Sequence, residues 1–196
     1  MTKETKEIRA FGTLGELREE SEGKIVGYAA VFNSPTTIGG WFREQIAPGA
    51  FTEAIEEDDV RALVDHDSSL VLGRNKSGTL ALSEDDKGLR VEIDPPDTQL
   101  ANDLKKLIER GDVTQMSFGF RAESEQWDDD DDDNELPLRT VLKARLFDVS
   151  VVTYPAYTDT EVAVRSLEAF QSQKNIRHNT ARKMKLAFVE RGEIAG

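Results

Sequence analysis

The stretch LFDVSVV at residues 146–152 alternates apolar with polar side chains, which predicts a β-strand. Because successive side chains of a strand point to opposite faces, the apolar members share one face: Phe147, Val149 and Val151. Asp148 and Ser150 share the other face. A strand that is apolar on one side and polar on the other packs a core with one face and can present chemistry with the second.

Asp148 is the unusual member of this strand. A carboxylate inside so apolar a segment is costly to bury unless it is paired. Two pairings are open. Asp148 can form an ion pair with an arginine, such as Arg121 or Arg145. It can instead accept a hydrogen bond from a histidine and hold the tautomer that a catalytic base needs.

A second predicted strand contains MSFGF at residues 116–120. Its large apolar side chains alternate and should point into the core, so Ser117 and Gly119 face the other way. Gly119 has no side chain, so a substrate backbone could approach the hydroxyl of Ser117 closely. The alternative is a half-buried strand with an ordinary surface serine. The spacing is not that of the Gly-x-Ser-x-Gly elbow.

Strand and helix signals alternate through the rest of residues 1–165, and we expect a domain of mixed α+β class. Leu100, Leu104 and Leu107 form the apolar stripe of the clearest helix, which Gly111 should end. The predicted elements are a strand at 25–32, a short helix at 48–55, a short apolar run at 60–64, a hairpin at 80–93, a helix at 98–110, and strands at 114–122 and 141–152.

Composition excludes several classes of protein and site. The 196 residues contain no cysteine, which rules out disulfide frameworks, cysteine nucleophiles and cysteine-based metal sites. Two histidines, His66 and His178, are too few for a His-rich metal site, and no cofactor is expected. A net charge of −13 disfavours nucleic-acid binding.

The sequence predicts neither a membrane-spanning helix nor a secretory signal. No apolar stretch approaches the roughly 18 residues that a membrane-spanning helix needs. The first nine residues are charged throughout, unlike a secretory signal. We therefore expect a soluble intracellular protein.

Two segments stand apart from the predicted domain. Residues 166–196 carry six basic and three acidic side chains, in contrast to the acidic remainder, and predict a helical or disordered tail. The six aspartates at 128–133 repel one another and predict a solvated loop. A calcium site there is the weaker alternative, because the run lacks the spaced ligands and the glycine of a calcium loop.

His66 follows the short apolar run and is the one histidine of residues 1–165. A lone histidine at a strand end is often structural. A strand end is also where a scaffold presents side chains to a ligand, and an imidazole exchanges protons near neutral pH. His66 is therefore a candidate general base.

Together these segments resemble the prohead proteases of tailed bacteriophages, the HK97-like family of capsid maturation proteases. The resemblance covers roughly residues 24–165 and rests on many short matches in one order. They are GYAAVFN at 27–33, IAPGAF at 46–51, DHD at 65–67, LGR at 72–74, GTL at 78–80, GL at 88–89, GDV at 111–113, MSFGF at 116–120 and the segment 148–157.

The resemblance implies a serine endopeptidase with a herpesvirus-protease-like fold, a β-barrel ringed by helices. It assigns the base to His66 and the nucleophile to Ser117. Herpesvirus enzymes use a second histidine as the third member, whereas phage proteins usually carry a glutamate where this chain has Asp148. Gly73 and Arg74 are candidates for oxyanion or substrate binding by analogy, and Gly119 for substrate binding.

The resemblance also implies substrates and a setting. The expected substrates are the scaffold or the scaffolding segment of the phage major capsid protein, inside an immature head in the host cytoplasm. The basic tail is expected to be cut by the enzyme itself, and a homo-oligomer is possible. The alternatives are a catalytically inactive capsid-assembly or scaffold protein with the same fold, and a cation-binding module built around the aspartate run.

Overall fold

The computed structural model describes residues 6–10, 18–19, 23–128, 136–154, 163–173 and 176. The chain divides into two compact units, Met1–Thr160 and Glu161–Gly196. In the second unit, residues 163–173 are helical. His178 and residues 129–133 of the aspartate run lie outside the described residues, so the loop and calcium interpretations stay predictions.

Eleven strands are present in the described part of the first unit. In chain order they are β1 (Glu7–Ala10), β2 (Arg18–Glu19), β3 (Ile25–Val31), β4 (Thr36–Ile38), β5 (Phe42–Ile46), β6 (Arg61–Val64), β7 (Asp67–Arg74), β8 (Leu80–Glu84), β9 (Gly88–Ile93), β10 (Gln115–Asp128) and β11 (Leu138–Val152).

The larger sheet has seven strands and branches at β11. Its main path runs β1-β10-β11-β5-β4, and β11 pairs with β10 in antiparallel fashion along its length. The first part of β11 pairs in parallel with β5, whereas its last part, from Asp148 to Val151, pairs in parallel with β6. β7 continues the branch beyond β6. The branch brings β6 and β10 to opposite sides of the same segment of β11.

The smaller sheet has four antiparallel strands in the order β2-β3-β9-β8. The hairpin predicted from the leucine alternation is confirmed as β8 and β9, in which Leu82 is the partner of Val91. Asp85 accepts hydrogen bonds from the backbone N–H groups of Lys87 and Gly88 and so closes the turn.

In the described part of the first unit, two α-helices accompany the strands, α1 (Thr52–Glu57) and α2 (Gln99–Glu109). The predicted long helix is confirmed with its ends. Thr98 lies at the N-cap and accepts a hydrogen bond from the Ala101 N–H, and Gly111 adopts a left-handed φ of 78° after the last turn. The short helix begins at Thr52, later than the predicted 48–55, because a turn that includes Gly49 precedes it.

Both sheets and both helices contribute to one hydrophobic core. Phe118 lies at its centre and makes edge-on contact with Phe51, with ring centroids 5.5 Å apart. Met116, Phe118 and Phe120 are all buried, as the alternation of residues 116–120 predicts. This inward face fixes the opposite face of β10, where Ser117 and Gly119 lie.

The predicted barrel ringed by helices is wrong for the described residues. The strands form two open sheets and not one closed barrel, and two helices do not make a ring around them. Neither sheet closes, because each terminal strand pairs with a single described strand; these strands are β1, β4 and β7 in the larger sheet and β2 and β8 in the smaller. The mixed α+β class is confirmed.

Candidate active site

His66 projects from a two-residue turn between β6 and β7. Val64 pairs with Asp67, which leaves only Asp65 and His66 in the loop. Both have left-handed backbones, with φ of 47° and 58°. Two successive positive φ angles define the type I′ hairpin turn, a conformation that costs a non-glycine residue roughly 1–2 kcal/mol. The local backbone is therefore strained in order to hold His66 at this place.

Side chains on either side of His66 hold the turn. The Asp65 carboxylate accepts hydrogen bonds from the backbone N–H and the hydroxyl of Thr153, at 2.8 and 3.1 Å. The Asp67 carboxylate accepts from the N–H and hydroxyl of Ser69, which lower its pKa. These carboxylates bond Thr153 and Ser69, and neither of them bonds the imidazole.

Ser117, His66 and Asp148 lie together on the face of the larger sheet that points away from the core. The imidazole Nε2 of His66 is 2.7 Å from the Ser117 hydroxyl oxygen. Its Nδ1 is 2.5 Å from Oδ1 of Asp148. The β10–β11 register pairs Ser117 with Ser150 and Gly119 with Asp148, and the parallel pairing of β11 with β6 delivers the turn. The three predicted residues thus form a serine–histidine–aspartate chain of hydrogen bonds.

Ser117 is fully buried, whereas the sequence suggests a residue that faces an open cleft. The imidazole of His66 retains 9% exposure. The Ser117 hydroxyl also lies 2.8 Å from the backbone carbonyl oxygen of Arg9 in the neighbouring strand β1. Its single proton therefore has two acceptors within reach, the Arg9 carbonyl and Nε2 of His66.

The Asp148 carboxylate has partners at both oxygens. Oδ1 accepts from His66 and from the Ser150 hydroxyl at 3.0 Å, and Oδ2 contacts the Lys6 ammonium. Burial would raise the pKa of Asp148, but the hydrogen bonds and charges of His66 and Lys6 outweigh it and hold that pKa below its usual value. Asp148 is therefore a carboxylate anion that its hydrogen bonds and the Lys6 charge stabilise.

Neither arginine considered as a partner for Asp148 contacts it. Arg145 pairs with Asp58 and Glu57, and Arg121 bonds Glu123. The structural ion pair with an arginine is thus wrong. The histidine pairing is the one that the structure contains.

Gly119 lies beside Asp148, and the room left by its missing side chain is occupied. A Cβ atom at this position would lie 2.5 Å from Oδ2 of Asp148 and would also overlap the side chain of Lys6. The expectation that this space admits a substrate backbone does not fit that geometry. The glycine instead makes room for the pair formed by Lys6 and Asp148.

Gly73 and Arg74 are not brought to Ser117. Strands β6 and β11 separate β7 from β10, which places Gly73 roughly 14 Å away along the sheet at about 4.8 Å per strand. The Arg74 N–H already donates to the Thr79 hydroxyl, and its guanidinium binds Asp59. A surface cavity of about 360 Å³ adjoins both residues and is not lined by Ser117, His66 or Asp148. This geometry does not favour the oxyanion role suggested for them.

A buried ion network anchors β1 beside Ser117. Arg9 donates to Glu44 from Nε at 2.6 Å and to Glu7 from Nη2 at 3.0 Å. Arg139 donates to both carboxylates. Burial opposes its charge, but the hydrogen bond to Glu7 and the negative charges of Glu44, Glu7 and Glu125 raise the pKa of Arg139. The network fixes β1, which contains the Arg9 carbonyl and directly follows Lys6.

Sequence reasoning missed Lys6 and the Arg9 carbonyl, and found Ser150 only as a neighbour of Asp148 on one face. The pairing of β1 with β10 sets the first two, and no local pattern announces that pairing. Ser150 had a usable signal in its alternation with Asp148. No group of ligand side chains suited to a metal ion occurs among the residues that the structure describes.

The arrangement can transfer a proton along one line. An imidazole that donates through Nδ1 to a carboxylate presents the Nε2 lone pair to a serine hydroxyl, which is how a nucleophilic serine is activated.

Among the residues that the structure describes, none of the helices has the length and apolar character of a membrane span.

A protein-family model described as Peptidase_S78, caudovirus prohead serine protease, matches residues 13–174 of the chain. No curated protein and no solved structure matches significantly. The family match includes His66, Ser117 and Asp148 and leaves out β1 with Lys6.

Proposed function

The chain belongs to the caudovirus prohead serine protease family, and from that premise we propose that Ser117, His66 and Asp148 form its catalytic triad. The observation that carries the proposal is the position of one imidazole, 2.7 Å from a serine hydroxyl and 2.5 Å from a carboxylate. Few structural roles require all three groups in that order. Triad-based serine proteolysis uses such a set: a nucleophile, a base, and a group that orients the base.

In the proposed mechanism His66 takes the hydroxyl proton of Ser117 at Nε2, and the oxygen attacks the carbonyl carbon of a peptide bond. The imidazolium is stabilised by Asp148 and then gives its proton to the leaving amine. An acyl-enzyme remains, with an ester bond to Ser117. Water, deprotonated by the same imidazole, releases the acyl group and restores the serine.

The burial of Ser117 adds a requirement to this mechanism. A peptide carbonyl can reach the fully buried hydroxyl only after local rearrangement, and the hydroxyl must give up its hydrogen bond to the Arg9 carbonyl. The exposed edge of His66 is the nearest described point of access among the three side chains.

The family supports substrates from phage assembly. We propose that the enzyme cleaves the scaffold protein or the scaffolding segment of the major capsid protein, in the immature head within the host cytoplasm. Its own basic tail after residue 165 is a further proposed substrate. A homo-oligomer is compatible with this setting, and neither nucleic acid nor membrane is needed for it.

The direct test combines active-site labelling with cleavage. A fluorophosphonate reacts only with a serine that a base activates, and peptide mapping by mass spectrometry locates the modified residue. We expect the label on Ser117 in the wild-type chain and none in Ser117→Ala or His66→Asn. Ser124→Ala is the matched control, because Ser124 lies exposed on the same strand and contacts none of the three residues.

Labelling at Ser117 together with cleavage of a scaffold segment would support the protease. A folded wild-type chain that is neither labelled nor able to cut any capsid or scaffold segment would instead favour the inactive assembly protein. Circular dichroism of each variant separates loss of chemistry from loss of the fold.

A further inference from the structure

We propose that Lys6 is a positioning residue of this active site, acting through Asp148 from outside the segment that the family model matches. The proposal rests on the triad assigned above. It concerns the second oxygen of the carboxylate, whose first oxygen bonds His66. Lys6 precedes β1, whereas the family match begins at residue 13.

The contact is specific at both ends. The Lys6 ammonium meets Oδ2 of Asp148, while His66 and Ser150 occupy Oδ1. The Asp148 side chain is 4% exposed and that of Lys6 is 33% exposed. The ammonium thus reaches from the surface to a buried carboxylate, as a long aliphatic stem with a charged end can.

The absence of a side chain at Gly119 leaves the space that the Lys6 side chain occupies. Gly119 lies across from Asp148, and an added Cβ there would sit 2.8 Å from the Lys6 nitrogen and would overlap its stem. The stem therefore runs over the one position of the strand that lacks a side chain. The buried network of Arg9 and Glu7 then holds the backbone from which Lys6 extends.

The chemical consequence follows from what Asp148 has to do. The carboxylate must stay ionised and fixed so that Oδ1 orients the imidazole and stabilises it when it is protonated. A cation at Oδ2 favours the ionised form in a buried place, where desolvation alone would favour the acid. It also stops the carboxylate from rotating away from His66.

Other charges near the imidazole are already engaged. Asp65 is bonded to Thr153 and Asp67 to Ser69, on the turn that carries His66. Asp148 is the described ionisable group of β10 and β11 that bonds the His66 imidazole. From β1, Lys6 is the described cation that meets this carboxylate. A change at Lys6 is therefore expected to reach the imidazole through Asp148.

The test uses the full chain and compares Lys6→Met, which removes the charge, with Lys6→Arg, which keeps it. We expect the acidic limb of the kcat/KM profile of Lys6→Met to move to higher pH by roughly one unit, the lower end of what an adjacent opposite charge does to a carboxyl group. The loss of rate should therefore grow as the pH falls. Lys6→Arg should restore most of the wild-type profile.

Lys24→Met is the matched control, because Lys24 is equally exposed at 33% and pairs with Glu92 on the smaller sheet. Its profile should coincide with that of the wild type. A purely structural role for Lys6 would lower activity by the same factor at every pH, in step with the folded fraction. A Lys6→Met profile with an unmoved acidic limb would overturn the proposal while leaving the protease assignment intact.

A second measurement does not depend on activity. The side-chain carboxyl carbon of Asp148 can be followed by NMR as a function of pH in Ser117→Ala and in Ser117→Ala/Lys6→Met. The titration of Asp148 should move to higher pH in the double variant, and an unchanged titration would overturn the inference. If Lys6→Met does not fold, Lys6→Gln gives the same comparison with a polar side chain.

Discussion

Asp148 lies directly across the β10–β11 pair from Gly119, close enough that a methyl group at residue 119 would lie 2.5 Å from its outer carboxylate oxygen. The orientation of the acid thus depends on the absence of a side chain on the facing strand. The same strand carries Ser117 two residues earlier. Residues 117–119 therefore supply both the Ser117 hydroxyl and the space beside Gly119 in which Asp148 is held.

Gly119→Ala is expected to lower kcat/KM at least tenfold while the protein stays folded. The methyl group displaces Lys6 or turns Asp148, and a small misplacement in a site of this kind costs rate steeply. Steady-state kinetics and thermal unfolding measure the two effects. Gly88→Ala should show the opposite pattern, because its Cβ would meet the backbone of Ala30 away from the site and so destabilise the fold.

Ser117→Ala is expected to abolish cleavage and to cost about 1 kcal/mol of stability, because it removes one buried hydrogen bond, to the Arg9 carbonyl. His66→Asn should also abolish cleavage. Asparagine tolerates the left-handed backbone at residue 66 better than alanine does, so the turn survives. Cleavage of a scaffold segment and urea unfolding are the measurements. Wild-type activity in either variant would contradict the triad.

Asp148→Asn should lower kcat by several orders of magnitude, because the amide can select the wrong imidazole tautomer. Its stability effect should depend on pH. The pKa of Asp148 is lowered in the folded state, so its ionised form stabilises the fold above its ordinary pKa of about 4, and that contribution disappears as the pH falls further. The wild-type minus variant difference in unfolding free energy should be level above pH ~5 and shrink below pH ~4.

Glu44→Gln is expected to destabilise the protein by about 3–5 kcal/mol, because it removes a buried carboxylate that pairs with the guanidinium groups of both Arg9 and Arg139. Denaturant unfolding measures this directly. Glu53→Gln is the control, since the solvent-exposed pair of Glu53 with Lys143 should contribute far less than a buried one. Equal effects of the two substitutions would contradict the structural role of the network.

The wild-type chain is expected to lose a C-terminal fragment that begins after Arg165. A tethered segment presents itself to an active site at an effective concentration in the millimolar range, and chain ends are where nicking concentrates. Intact mass spectrometry after prolonged incubation at high concentration tests this, with Ser117→Ala as the chain that should remain at 196 residues. Truncation of Ser117→Ala at the same point would assign the cut to a host protease.

The sequence predicted the elements whose signals are local. The helix predicted at 98–110 is observed at 99–109 and ends at Gly111 as expected, because a stripe of leucines and the glycine lie within a few turns of each other. The alternation of residues 116–120 and 146–152 identified which side chains share a face. In the structure, Ser117 and Asp148 occupy that shared face and His66 contacts both.

What the sequence could not supply depends on long-range pairing. The branch of the larger sheet arises because β11 meets β5 and then β6, and neither pairing leaves a mark within β11 itself. The contact of Lys6 with Asp148 joins residues at the two ends of the domain through β1. The burial of Ser117 likewise depends on neighbours that are remote in sequence, among them Arg9 and His66, and not on residues 116–120 alone.

The branched pairing of β11 also has a meaning for biosynthesis. His66 and Ser117 precede Asp148 in the chain, so the ribosome makes them first. The turn that carries His66 is held by a hydrogen bond from Thr153, which directly follows β11. A nascent or truncated chain that lacks β11 therefore has a serine and a histidine without the acid or the anchor that aligns them. The proposed triad therefore requires the last strand of the domain, and a chain that ends before β11 is expected to be inactive.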